Sequence, residues 1–293
     1  MKLQQLVGSE TVVIVPLIVA AAGASSRVYG QFTSGVNLVE VYASVTDRHG
    51  APITGLTAAD FHILEDGAPQ PITAFAAGEF PLAVAVGLDR SFSMGGKPDR
   101  LGIAKAAARS FISALRPDDE VMVMAIGSET SIVAPLSRDH EQALARIDRL
   151  DAWGTTPLYQ ATLAAIETIQ SAKGRRALVL LSDGVDRDST VTAGDLVEQA
   201  RRRDVLVYPI AIGPARPPVF AELASATGGR SFLAKEPGTL ASTLATIAHE
   251  LRFQYLLGYV PSHRSDTSSW HSIDVTVDRA NARVRARDGY FSR

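Results

Sequence analysis

Between residues 81 and 252, apolar runs of strand length alternate with longer segments whose apolar residues recur at helical spacing. The runs are 82–88 (LAVAVGL), 121–126, 177–182 and 205–212. The segments between and after them, 101–115, 140–150, 158–172, 194–203, 219–226 and 239–252, have helical spacing. A strand that is apolar at every position is buried on both faces. Strands of that kind separated by amphipathic helices form a mainly parallel sheet with helices on both sides. The expected fold class is α/β, a doubly wound mainly parallel sheet flanked by helices, spanning residues 81–252.

The pattern differs on either side. Residues 36–46 alternate and are β-rich, 61–64 and 71–75 read as short strands, and Asp47-Arg48-His49-Gly50 and Glu65-Asp66-Gly67 read as turns. After residue 252 the chain is β-rich again, with strict alternation over 272–278 and 282–287. Pieces of this length bury too little surface to fold separately. The segments 36–80 and 253–293 are therefore expected to pair into one small antiparallel β domain, with the α/β domain inserted in it.

Composition excludes several function classes. The chain has no cysteine, which removes disulfides, thiolate metal sites and thiol catalysis. Its formal net charge is −2, and nucleic-acid binding needs a basic face that this balance does not supply. Arg201-Arg202-Arg203 reads as the solvated end of a helix. No Gly-x-Ser-x-Gly elbow, zinc-spaced histidine pair or phosphate-binding glycine loop is present. The chain is expected not to be an enzyme.

Chemistry gathers where two apolar runs end. Asp89-Arg90-Ser91-Phe92-Ser93 follows the first run, and Ser182-Asp183-Gly184 closes the third. Open parallel sheets bind ligands outside the carboxyl ends of their strands, so both loops can meet at that edge. Two carboxylates converging there repel, and a divalent cation resolves the conflict. Hydroxyls of Ser91, Ser93 and Thr156, with Asp89 and Asp183, make a hard oxygen set of the kind magnesium takes, and leave room for water or an outside carboxylate. Asp186 and Asp188 read as solvated loop residues. Taken singly, each ligand candidate is more ordinarily a cap or turn former; it is the combination that points to a metal.

The order Asp-x-Ser-x-Ser, then Thr156, then Asp183 resembles the metal-ion-dependent adhesion site of von Willebrand factor A domains. Residues 45–50, 55–61 and 65–67, with Leu257-Gly258-Tyr259 and Arg287-Asp288-Gly289-Tyr290, are similar to the von Willebrand factor A-related proteins abundant in Acidobacteria. The resemblance departs at Arg90 and Phe92, which occupy the variable positions, and at Thr155, where a glycine is usual. It implies a binding module that holds Mg2+, or Mn2+ or Ca2+, on Asp89, Ser91, Ser93, Thr156 and Asp183. The partner is then a protein presenting an Asp or Glu carboxylate, with Phe92 and Arg90 facing it. The alternative is a structural envelope protein whose site is metal-free or only stabilises the fold.

Residues 1–24 read as a signal peptide: a basic Lys2, an apolar core over 11–23 and a small-x-small Ala22-Gly23-Ala24. A buried segment of the mature fold and an uncleaved anchor are the other readings. The expected location is periplasmic or secreted, with no membrane span in the mature chain.

Overall fold

The computed structural model describes residues 38–78, 80–262 and 268–292, so the expectation for residues 1–24 lies outside the described residues. The strands are β1 (Val39–Thr46), β2 (Phe61–Glu65), β3 (Ala68–Gln70), β4 (Ile72–Gly78), β5 (Leu82–Asp89), β6 (Glu120–Ile126) and β7 (Ser131–Ser137), then β8 (Arg175–Ser182), β9 (Leu206–Ile212), β10 (Phe232–Ala234), β11 (Gln254–Tyr259), β12 (Trp270–Val277), β13 (Arg283–Arg285) and β14 (Gly289–Phe291). The helices are α1 (Arg100–Ser113), α2 (His140–Asp148), α3 (Leu158–Ile169), α4 (Ala193–Arg201), α5 (Pro218–Thr227) and α6 (Pro237–Arg252). No helix among the described residues is long and apolar enough to cross a membrane.

Six strands form the central sheet in the order β10-β9-β8-β5-β6-β7, parallel except for β7. All eight residues of β5 are buried, which is why its sequence is apolar without alternation. Successive side chains still point to opposite faces. Val84, Val86 and Leu88 join α1, α2 and α6 in one core. Ala83 and Ala85 join α3, α4 and α5 in the other. Local signals set the helix starts. The Asp99 and Asp139 carboxylates accept from the Gly102 and Gln142 N–H groups, and Thr192 and Asp195 form a capping box.

The remaining strands form two antiparallel sheets, β13-β1-β11-β4 and β14-β12-β2-β3. Their inner faces share a core of Val41, Val45, Phe61, Ile63, Tyr255, Leu257, Ile273 and Val275, among others. The architecture is thus a mixed, mostly parallel sheet flanked by helices, together with antiparallel sheets in which strands preceding β5 pair with strands following α6.

The structure adds β3, β7, β10 and β14 to the strands expected from sequence. β7 carries Pro135 and pairs irregularly along one edge of the sheet, where a missing N–H is tolerated. The three arginines at the end of α4 form the solvent-facing end that was expected, Arg201 and Arg202 exposed and Arg203 half-buried, and each also has partners. Arg201 pairs with Asp288 at 2.8 Å and lies over Trp270, and Arg203 pairs with Glu167 at 2.6 Å. Arg202 bonds Glu198 one turn back and stacks on Phe291 at 3.8 Å. Arg201 and Arg202 pack the end of α4 against β12 and β14, and Arg203 ties it to α3.

Candidate metal centre

Strand β5 ends on Asp89, which is fully buried. A carboxylate in that position needs partners, and three hydroxyl- or amide-bearing groups converge on it. Ser91 N–H donates to Oδ1 at 2.9 Å, the Thr156 hydroxyl donates to the same oxygen at 3.4 Å, and the Ser182 hydroxyl donates to Oδ2 at 2.6 Å. Burial pushes the Asp89 carboxyl above the usual carboxylate range. The bonds from Ser182 and Ser91 pull it back, and the nearby Asp183 charge adds to the upward push.

The loop after Asp89 is held open by its own turns. Met94 N–H donates to Ser91 O, and the Met94 side chain is fully buried, anchoring the loop in the core beside α1. This brings the Ser91 and Ser93 hydroxyls to 3.0 Å from one another. Ser91 is buried and Ser93 exposed, so one hydroxyl supports and the other faces outward. Arg100, at the start of α1, donates to Ser93 O at 3.1 Å.

Two neighbouring loops complete the edge. Gly154 adopts φ +82°, and a side chain there would collide with Ser128, so the Thr156 loop can pass this point only as glycine. Thr155, one residue on, fits because its N–H donates to the Ser128 hydroxyl at 2.9 Å. Thr156 is buried, and its carbonyl accepts from Arg187 N–H at 2.7 Å, tying this loop to the one after β8. Asp183 is half-buried, and its Oδ1 accepts from Val185 N–H at 3.1 Å. The structure therefore brings Asp89, Ser91, Ser93, Thr156 and Asp183 to one edge on three loops.

Two residues expected to face a partner differ from one another. Phe92 is 67% exposed. Arg90 is half-buried; its guanidinium lies over the Trp153 ring at 5.2 Å and reaches Asp151 O at 3.4 Å, so it braces the neighbouring loop. Asp186 is not a solvated loop residue. Its Oδ1 accepts from Tyr159 N–H at the start of α3 and from the Ser189 hydroxyl, at 3.0 and 2.6 Å. Sequence reading missed Ser182 as a site residue. Its only signal is a polar side chain closing the apolar run 177–181, immediately before Asp183.

A separate group that could hold a metal lies in the antiparallel sheets. One donor atom each from Glu65, Asp66 and His271 falls within 4.8 Å of the others. Glu65 is buried and accepts the hydroxyls of Tyr259 and Tyr290 at 2.6 and 3.0 Å. Asp66 pairs with His271 Nδ1 at 2.7 Å, which holds its carboxyl below the usual range. The sequence signals were the Glu65-Asp66-Gly67 turn and the two Gly-Tyr pairs, 258–259 and 289–290, none of which implies convergence on one carboxylate.

The donor set at the sheet edge fits a hard divalent cation: five oxygens, two of them from carboxylates, with the charge of Asp89 otherwise desolvated. Comparison with known proteins bears on the same region. Residues 84–185 match the von Willebrand factor type A domain. A curated Borreliella burgdorferi protein, itself uncharacterized, is 28% identical over 138 residues, which are 44% of this chain and 40% of that protein. The chain thus spans about two fifths of that relative's length. Among solved structures, a von Willebrand factor type A protein from Catenulispora acidiphila aligns with TM-score 0.51 and 16% identity, covering 79% of this chain and 74% of that one. Proximal thread matrix protein 1 from the mussel byssus, with a zinc-occupied metal-ion-dependent adhesion motif, aligns with TM-score 0.53 and 15% identity, covering 66% and 50%. At these identities the likeness is one of fold.

Proposed function

We propose that the chain, whose residues 84–185 match the von Willebrand factor type A domain, is an exported binding module that captures a partner protein's Asp or Glu carboxylate on a divalent cation. Such domains serve typically in protein interaction. The observation that carries the reading is the convergence on Asp89: a fully buried carboxylate at a strand end, faced by the Ser91 and Thr156 hydroxyls, with Asp183 on the adjacent strand's loop. A bound cation supplies an electrophilic centre that an outside carboxylate can complete. The chain's own residues do the rest. Ser91, Ser93 and Thr156 offer neutral oxygens, and Asp89 and Asp183 balance the charge. Ser182 and Ser91 N–H orient Asp89, and the Thr156–Arg187 bond keeps the loops in register. Magnesium is the proposed ion because the donors are hard oxygens, and the zinc in the byssus protein's motif makes zinc the ion to compare. The chain acts by binding, without catalysis. Export rests on the apolar stretch 11–23 and the Ala22-Gly23-Ala24 site.

A second reading has its own support. Asp89 already accepts bonds from three protein groups, so the same cluster can serve to hold the fold together. One experiment separates the two. Magnesium, manganese, calcium and zinc are titrated calorimetrically into the full chain and into Asp89→Ala, with circular dichroism on both. Metal binding by wild type, lost in a variant that stays folded, supports the binding module. Equal metal binding by both refutes the site, and loss of fold in the variant favours the structural reading. N-terminal sequencing of the native protein tests export, with a start at Ser25 expected.

A further inference from the structure

Large apolar side chains that stay exposed in a soluble protein are normally scattered. Here they are not. The described residues have five exposed large hydrophobics, and three of them, Phe92, Trp153 and Val185, lie on the three loops that carry the candidate ligands. They are 67, 44 and 43% exposed. Phe92 follows Ser91 directly, Trp153 precedes Thr156 by three residues, and Val185 lies two residues after Asp183.

The loops are bonded to one another, so the three residues lie on adjoining loops at one edge of the sheet. Trp153 N–H donates to Arg90 O at 2.6 Å, and Phe92 N–H donates to Gly154 O at 3.0 Å. Arg187 N–H donates to Thr156 O at 2.7 Å, which draws the Val185 loop alongside. The Trp153 ring is further fixed by the Arg90 guanidinium over it. A flexible loop would bury such groups or hold them loosely. Phe92 and Trp153 are held by backbone bonds between loops, and Val185 by its N–H bond to Asp183 Oδ1, at the rim of a polar centre.

We propose that the partner segment carries its acidic residue next to large apolar or aromatic side chains, which pack on Phe92, Trp153 and Val185 while the carboxylate reaches the centre. This rests on the carboxylate-capture reading of the same site. Apolar contact beside a charge-centred contact divides the labour: the centre demands an acid, and the rim selects among acids by what flanks them. Aromatic anchors beside a desolvated polar contact are the pattern that dominates binding energy at protein interfaces.

The test uses the full chain and two fluorescent peptide probes with one Glu in a Gly-Ser background. In one probe the Glu is flanked by Phe and Leu, in the other by Ser on both sides. Anisotropy is read in magnesium and in EDTA. The expected result is magnesium-dependent binding, tighter by about tenfold or more for the apolar-flanked probe, since burying even one such side chain is worth that much. Phe92→Ser, Val185→Ser and Trp153→Ser, each with a magnesium isotherm like that of wild type, should remove that preference. Equal magnesium-dependent affinity for the two probes overturns this inference and leaves carboxylate capture standing. Binding of neither probe in magnesium, or binding indifferent to EDTA, overturns both. Self-association of the chain that ignores magnesium and disappears in Trp153→Ser would make a second copy the occupant, and also overturns it.

Discussion

Replacing Ser182 with alanine isolates the least visible part of the site. Ser182 is fully buried, donates to Asp89 Oδ2 at 2.6 Å and accepts from Gly184 N–H at 2.9 Å. A hydrogen bond to a charged group contributes about 1.5–3 kcal/mol, and a buried amide left without its acceptor costs about 1–3 kcal/mol. The two losses share one atom and partly overlap, so a destabilisation of about 3 kcal/mol is expected at pH 7. The deficit should also depend on pH. Burial raises the folded pKa of Asp89 above its unfolded value, so its stabilising contribution is fully present below the unfolded pKa of about 3.9 and is lost as pH rises through the folded one. Ser182 favours the ionised form, and removing it raises the folded pKa further. The gap between wild type and Ser182→Ala should therefore widen as pH rises through those folded values and narrow toward pH 4. Urea unfolding in EDTA, followed by circular dichroism across that range, measures both effects. A deficit below about 0.5 kcal/mol at pH 7, or one that does not change with pH, would refute the account of how Asp89 is held.

In EDTA at pH 7, Asp89→Asn should be at least as stable as wild type, because it removes a desolvated charge, while losing the stabilisation that magnesium gives wild type; thermal unfolding with and without the ion reads both. Tyr259→Phe removes the 2.6 Å bond to buried Glu65 and should cost about 1.5–3 kcal/mol by urea unfolding, against little change for an exposed tyrosine. Gly184→Ala places a side chain at φ +80° against Pro217 and should cost at least about 1–2 kcal/mol while weakening metal affinity through the Asp183 loop, read by calorimetry. Deleting residues 253–293 removes every strand that pairs with β1 and β4, so limited proteolysis should cut residues 38–78 in the truncated chain and spare them in the full one.

What the sequence revealed follows from what is local. β5 and the 177–181 part of β8 are legible because strand residues buried on both faces run apolar without alternation, and the aspartates that follow stand out against that background. The three loops are legible as candidates because the template gives their order. The support beneath them is not. Ser182 looks like any strand-end serine until the fold puts it beside a residue 93 positions away. The bonds that hold Asp186, and the pairing of the exposed Arg201, are not legible because their partners, Tyr159 N–H, Asp288 and Trp270, are distant in sequence. Strands β3 and β10 have three residues each, too few for any period to register.

The pairing of β4 with β11 has a consequence for the order in which the molecule is built. Gly78 and Gln254 are opposite one another in the ladder, so the chain leaves the antiparallel sheets and returns to them at a single point. During synthesis β2 and β3 can close as a hairpin at once. β1 and β4 cannot, because their ladder partners, β11 and β13, arrive only after the whole α/β body has been made. For that interval two early strands present unpaired edges, the kind of surface on which chains aggregate or a chaperone waits. Folding of the intervening body is what carries Gln254 back to Gly78, converting a distant encounter into a neighbouring one.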